Sequence, residues 1–244
     1  MDISIYIFYT ILFIVAFLYS SVGHGGASGY LALMTLFSFS PAVSRQTALI
    51  LNIFVSLVAF YQYYRSNNFN FKLFYPFAIT SIPAAFFGGM ITLDAGIYKK
   101  ILAVLILFPV IKLMQNPSKE QKIKNTQNLA FSLIIGLLIG FLSGIIGIGG
   151  GILLSPIILL LGWGNMKQTA ATSALFIFVN SIAGILGVVS KGVSFTNEMF
   201  LMICVAFVGG VAGSYFGALK FDNKILKIIL AIVLLIASVK LLTT

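Results

Sequence analysis

GHGGASGYLALM, residues 23–34, returns 124 residues later as GIGGGILLSPII, residues 147–158. Gly23, Gly25 and Gly26 fall on Gly147, Gly149 and Gly150. Two further matches follow in the same order. RQTALILN from Arg45 resembles KQTAATSA from Lys167, which sets Gln46, Thr47 and Ala48 on Gln168, Thr169 and Ala170. GMITLDAGIYKKILAV from Gly89 resembles GALKFDNKILKIILAI from Gly217, which sets Asp94 on Asp222, Lys99 on Lys227 and Lys112 on Lys240. The offsets are 124, 122 and 128 residues. Self-similarity at a nearly fixed offset marks an internal repeat. The chain therefore reads as a first repeat over 1–115, a polar joint over 116–127 (NPSKEQKIKNTQ) and a second repeat over 128–244.

Composition states the solvent. Of 244 residues 60% are hydrophobic and 8% charged, with a mean hydropathy of +1.09. A soluble domain carries roughly a quarter charged residues, so this chain cannot coat a globule with polar groups. Lipid is the expected surroundings. No Asp, Glu, Lys or Arg lies between Asp2 and Arg45 or between Lys124 and Lys167, and shorter charge-free runs cover 46–64, 73–93, 168–190 and 199–219. A membrane helix needs about 20 apolar residues. The net charge of +10 would suggest nucleic acid in a soluble protein. Here the cations sit at the ends of apolar runs, as flanking charge does in membrane proteins, and nucleic acid is excluded as a partner. Cys204 is the sole cysteine, so no disulfide framework exists. The first 22 residues lack a basic leader and read as a membrane segment rather than a cleaved signal peptide.

Each repeat shows five apolar segments: 4–22, 28–40, 44–64, 72–93 and 97–114, then 128–146, 151–162, 166–190, 197–219 and 224–242. They are uniformly apolar rather than alternating, which opposes a barrel. The fold class is an all-α polytopic membrane protein of eight to ten segments. The second segment of each repeat has roughly a dozen residues. Such a helix rises about 18 Å, short of the ~30 Å hydrocarbon layer, so it is expected as a re-entrant half-helix beginning at the glycines. Inverted and parallel repeats both fit, according to whether an odd or an even number of segments crosses per half.

Broken backbone at membrane depth is tolerated only inside protein or beside a watered cavity. A half-helix starting there offers free N–H groups and a positive dipole end, which bind anions, and paired breaks in two repeats point to a carrier's substrate site. Close packing through small residues is the competing use of such glycines. The candidate substrate-binding residues are Gly23, His24, Gly25, Gly26, Gly147, Gly149, Gly150 and Gly151 of the breaks. To these are added Gln46, Thr47, Asn52, Gln168, Thr169, Thr172 and Ser173 from the third segments, with Arg45 and Lys167 as entrance charge. Helix capping and snorkelling are the other uses of Gln46, Gln168, Arg45 and Lys167, and Asn52 could equally bond a neighbouring helix. All five acids lie at segment ends or in loops. Cation carriers usually keep a carboxylate mid-membrane, and clustered metal ligands are lacking, so an anion is expected, with no cofactor and no metal. His24 is the one group titrating near neutrality in the core and is a candidate for proton coupling.

Catalysis is a poor fit. GASG, residues 26–29, spells the G-x-S-G of rhomboid-type proteases, but His24 is the only base and stands four residues from Ser28. The dinucleotide pattern from Gly147 lacks its third glycine at Ile152.

GIIGIGGGILLSPIILLLGW (144–163) followed by QTAATSALFIFVNSIAG (168–184) resembles the TauE/SafE sulfite exporter family, also called the 4-toluene sulfonate uptake permease family, and the resemblance covers nearly the whole chain. It implies a secondary carrier in a prokaryotic inner membrane, moving sulfite, thiosulfate, a sulfonate or a like oxyanion. Its expected mechanism is the rocking of one repeat against the other. His24 and Ala27 depart from the second copy, which has Ile148 and Gly151. The alternatives are a carrier of another small organic anion such as a carboxylate, a non-transporting membrane scaffold and, least favoured, a rhomboid-like hydrolase. The expected partners are a small anion, the lipid bilayer and a coupling proton; monomer and homodimer are equally compatible.

Overall fold

The computed structural model describes residues 3–91, 126–190 and 197–226, with Ile228, Ile229, Ile232 and Leu235 beyond them. The expected fifth segments, 97–114 and most of 224–242, and the joint over 116–125 lie outside these residues. The described residues include the α-helices α1 (Ile3–Ser21), α2 (Ala27–Leu36), α3 (Pro41–Arg65), α4 (Phe71–Gly89), α5 (Leu129–Ile146), α6 (Gly151–Leu161), α7 (Met166–Val189) and α8 (Asn197–Tyr215), and helical residues again from 223. A π-helical turn, Phe216–Lys220, extends α8. The succession long, short, long, long occurs twice.

Local chemistry explains where the helices begin. Four long helices start on a side-chain cap: Ser40 accepts from the Val43 N–H before α3, Asn70 from Lys72 before α4, Asn128 from Phe131 before α5 and Asn165 from Gln168 before α7. Such caps satisfy backbone donors that have no partner inside the helix. Ser40 with Pro41 at the first helical position starts α3 ahead of the expected residue 44, because proline's fixed φ suits that position. At its other end α2 stops at Leu36, ahead of the expected 40, where Ser38 turns the chain at φ 61°.

Five helical stretches are long and apolar enough to cross a membrane: Ala42–Arg65, Phe71–Gly89, Leu129–Ile146, Met166–Val189 and Glu198–Lys220. Their outward faces are apolar, as with the exposed Ile79, Phe87, Leu138 and Phe200, which suits lipid and not water.

Contacts fix the directions. Leu49 lies beside Gly184 and Asn52 beside Ser181, so α3 and α7 run antiparallel through the centre. Asn68 beyond α3 and Asn165 before α7 share one cleft, so Lys167 marks that end of the bundle and Arg45 the other. A glycine stripe at every fourth residue, Gly136, Gly140 and Gly144, sets α5 parallel to α4 against the backbone of Phe77, Ser81 and Ala85. A second stripe, Gly209, Gly213 and Gly217, sets α8 and its π-turn parallel to α1 against Phe13, Phe17 and Ser21. Side chains of any size would hold these helices apart. Between the two breaks, α2 leads back to the Arg45 end, where α3 begins, and α6 leads to the Lys167 end, where α7 begins. The two helix sets therefore run in opposite senses, the inverted arrangement.

Candidate functional site

The two short helices start differently from the long ones. Gly26 before α2 has φ 98°, Gly150 before α6 has φ 79°, and neither start has a side-chain cap. Left-handed backbone costs an ordinary residue about 1–2 kcal/mol, and glycine avoids that cost. Each turn thus reverses the chain inside the protein and leaves the first backbone N–H groups of a half-helix to find partners from elsewhere.

The turns meet. A Cβ on Gly25 would strike the Asn52 amide, and one on Gly149 would fall 2.8 Å from Asn52 Nδ2 and 2.7 Å from Ile177. Asn52 and Ile177 belong to the middles of α3 and α7, so both breaks press on the same place at half depth. Asn52 Oδ1 accepts from the Ala27 N–H at 3.1 Å, which serves the first donor of α2, and its Nδ2 donates to Ser181 Oγ at 3.4 Å. His24 completes the junction: Nε2 lies 3.0 Å from the Gly151 carbonyl oxygen and 3.1 Å from Ser155 Oγ. Ser155 is in turn 2.7 Å from Ser173 Oγ. His24, Asn52, Ser155, Ser173 and Ser181 are all buried.

Of the residues named from the sequence, the structure brings together Gly25, His24, Asn52, Gly149, Gly151 and Ser173. Gly26 and Gly150 set the turns. Gly23 packs on the Ala170 backbone and Gly147 on the Arg45 stem, so each turn leans on the third helix of the other half. The hydroxyls of Thr47, Thr169 and Thr172 are buried without hydrogen-bond partners among the described residues. They continue along α3 and α7 from the junction toward opposite ends of the bundle.

Other residues are occupied elsewhere. Gln168 forms a capping box: its Oε1 accepts from the Asn165 N–H at 3.2 Å while its own N–H goes to Asn165 Oδ1 at 2.9 Å. Gln46 is half-buried near the start of α3. Arg45 donates to the carbonyls of Gly89 and Ile91, each at 2.9 Å, and also to that of Gly144. Lys167 donates to the Ala218 carbonyl at 3.1 Å and also lines the cleft of about 350 Å³ with Asn68, Asn165, Asp222 and Asn223. The two cations thus do matched work, each holding the C-terminal carbonyls of the fourth helix of its half, where cations suit the helix dipole. Ser28 pairs with Tyr19 at 2.9 Å rather than with His24, so the GASG stretch forms no serine–histidine pair.

Ser155 and Ser181 were not foreseen. Ser155 lies in the apolar run ILLSPIILL, where one hydroxyl breaks no pattern.

The chain matches the family described as sulfite exporter TauE/SafE over residues 8–241. It is 34% identical over 234 residues to the probable membrane transporter protein y4hK of Sinorhizobium fredii, covering 94% of this chain and 95% of that one. It is 28% identical over 231 residues to the probable membrane transporter protein YdhB of Bacillus subtilis, covering 90% and 91%. A 103-residue stretch is 33% identical to the sulfite exporter TauE/SafE family protein 1 of Arabidopsis thaliana, covering 41% of this chain and 22% of that one. No solved structure matches it significantly.

Proposed function

The chain belongs to the sulfite exporter TauE/SafE family and is a multi-pass membrane transporter, and on that premise we propose that it is a secondary carrier of a small sulfur-containing oxyanion, of the sulfite, thiosulfate or sulfonate type, in a prokaryotic inner membrane. The observation that carries this reading is the meeting at Asn52 and Ile177 of two half-helix N-termini that start on left-handed glycines. Free backbone donors and positive dipole ends attract an anion. Two of them from opposite directions make a site that either end of the bundle can reach, which is what alternating access requires. The buried hydroxyls of Thr47, Thr169, Thr172 and Ser173 are neutral donors, able to replace an anion's water without holding it permanently. On this reading residues 1–115 and 128–244 are inverted repeats and His24 is the group that couples a proton.

The test is uptake by proteoliposomes under an imposed anion gradient, with sulfite, thiosulfate, taurine, sulfoacetate and small carboxylates in parallel. Saturable flux of the sulfur oxyanions supports the reading. Flux of carboxylates alone moves the substrate class, and no response to any anion sinks it.

A further inference from the structure

His24 contributes one nitrogen to the protein and keeps one spare. A carbonyl oxygen can only accept, so the 3.0 Å contact with Gly151 puts the imidazole proton on Nε2. Ser155, 3.1 Å away, then accepts from the same N–H and gives its own proton to Ser173 at 2.7 Å. The tautomer follows from the network, as it must where hydrogens are unseen. Nδ1 of a neutral ring so protonated carries a lone pair. It is buried, in a side chain 2% exposed, and has no hydrogen-bond partner among the described residues. Being one bond from Cγ, it lies on the backbone side of the ring, beside the Gly23–Gly26 turn that opens α2.

No carboxylate among the described residues stands near the ring, so the ring is neutral while the site is empty. The acids among the described residues are Glu198, in the first turn of α8, and Asp222, in the surface cleft. Arg45 and Lys167 are held at the bundle ends. Tyr19, whose ring meets the imidazole edge-on at 6.5 Å between centroids, gives its hydroxyl to the pair with Ser28. The junction is therefore rich in donors, the N–H groups and hydroxyls, and His24 Nδ1 is an unmet acceptor there, with Asn180 Oδ1 of α7 another among the described residues. A buried acceptor without a donor is unfavourable.

We infer that the site selects a monoanion that still carries an acidic O–H, a species of the hydrogen sulfite kind, with that proton given to His24 Nδ1. This rests on the anion-carrier reading and goes further, because it names the protonation state of the cargo. The substrate's oxygens would take the half-helix N–H groups, and its one O–H would take the lone pair. An anion of equal charge and similar shape, with methyl in place of hydroxyl, satisfies the donors and leaves Nδ1 bare. Sites built around a substrate hydroxyl reject analogues lacking it strongly, so a preference of about tenfold or more is expected.

The experiment measures binding of hydrogen sulfite and methanesulfinate to the full chain in nanodiscs, in mildly acidic buffer. His24→Asn keeps an oxygen acceptor near the place of Nδ1, and His24→Gln keeps a donor near that of Nε2 but no acceptor at the other position. The expected result is a hydrogen sulfite preference in the wild type, largely kept by H24N and lost by H24Q, with melting curves confirming that both variants are folded. Equal affinities in the wild type, or tighter methanesulfinate, would overturn the inference and leave the anion carrier standing; this arm needs no variant. Retention of the preference by H24Q would also overturn it. Binding of neither anion by the wild type would overturn this inference, and the carrier reading falls with it only where thiosulfate, taurine, sulfoacetate and carboxylates also give no flux.

Discussion

His24 Nε2 stands 3.0 Å from the Gly151 carbonyl oxygen, so the only histidine of the chain ties the first glycine turn to the first residue of the second half-helix. Removing it unfastens the junction as well as removing a titrating group. His24→Ala should lower the thermal midpoint in detergent by the equivalent of about 1–3 kcal/mol, for the lost bond and the buried groups left bare. It should also change how flux varies with pH, through the loss of the ring nitrogens. A variant whose flux and pH profile both follow the wild type would remove His24 from proton coupling.

Asn52 joins the same parts from the other side. Asn52→Leu loses both its bonds and leaves the Ala27 N–H buried, at a cost of about 1–3 kcal/mol. Asn52→Asp keeps the acceptor for that N–H but sets a carboxylate in the site, and should bind the anion no better than Asn52→Leu, because like charges repel. Ser181→Ala breaks only the 3.4 Å contact and should cost under about 1 kcal/mol. Melting curves and anion titrations of the three variants check the order.

Arg45 and Lys167 are expected to act as helix ties more than as charges at an entrance. Arg45 reaches carbonyls on both α4 and α5, and a lysine cannot fork in that way. Arg45→Lys should therefore recover little of the stability lost in Arg45→Ala. Lys167→Ala, losing a single bond to Ala218, should cost less than Arg45→Ala. If steering dominates instead, both alanine variants will slow uptake steeply at low salt and leave the melting temperature unchanged.

Two glycines of ordinary appearance should respond oppositely. Gly150→Ala places a side chain at φ 79°, 2.7 Å from Ile139 and 2.8 Å from Phe176. Left-handed strain and overpacking together should exceed about 2 kcal/mol and abolish transport. At Gly184, inside α7, an added Cβ meets its nearest neighbour, Leu49, at 3.5 Å. Gly184→Ala should be neutral or gain up to about 1 kcal/mol from helix propensity. Folded yield and melting temperature separate the pair.

Much of this was legible in residues. The glycine clusters announced the breaks, and the length of the run after each announced a half-helix, because bilayer thickness is a fixed ruler. Gln168 also declared its own ambiguity, since Asn165 three residues earlier makes a capping box, the use the structure shows. The opposite sense of the two helix sets was hidden. It depends on which way helices run, and cations at both ends of the chain's segments report membrane flanks without saying which. Arg45 was misleading because a cation at a segment end reads as solvent-facing, whereas its partners are carbonyls over 40 residues away in sequence. Ser155 was silent, as a single hydroxyl in an apolar helix gains meaning only from what the fold sets against it.

The glycine stripes carry a mechanical consequence. Backbone touches backbone where α4 meets α5 and where α1 meets α8, and each of these pairs draws one helix from either side of the joint. Prising the front of the chain from the back would open both seams at once. The halves of the sequence are therefore not separable bodies: whatever displaces α4 carries α5 with it, and whatever displaces α1 carries α8.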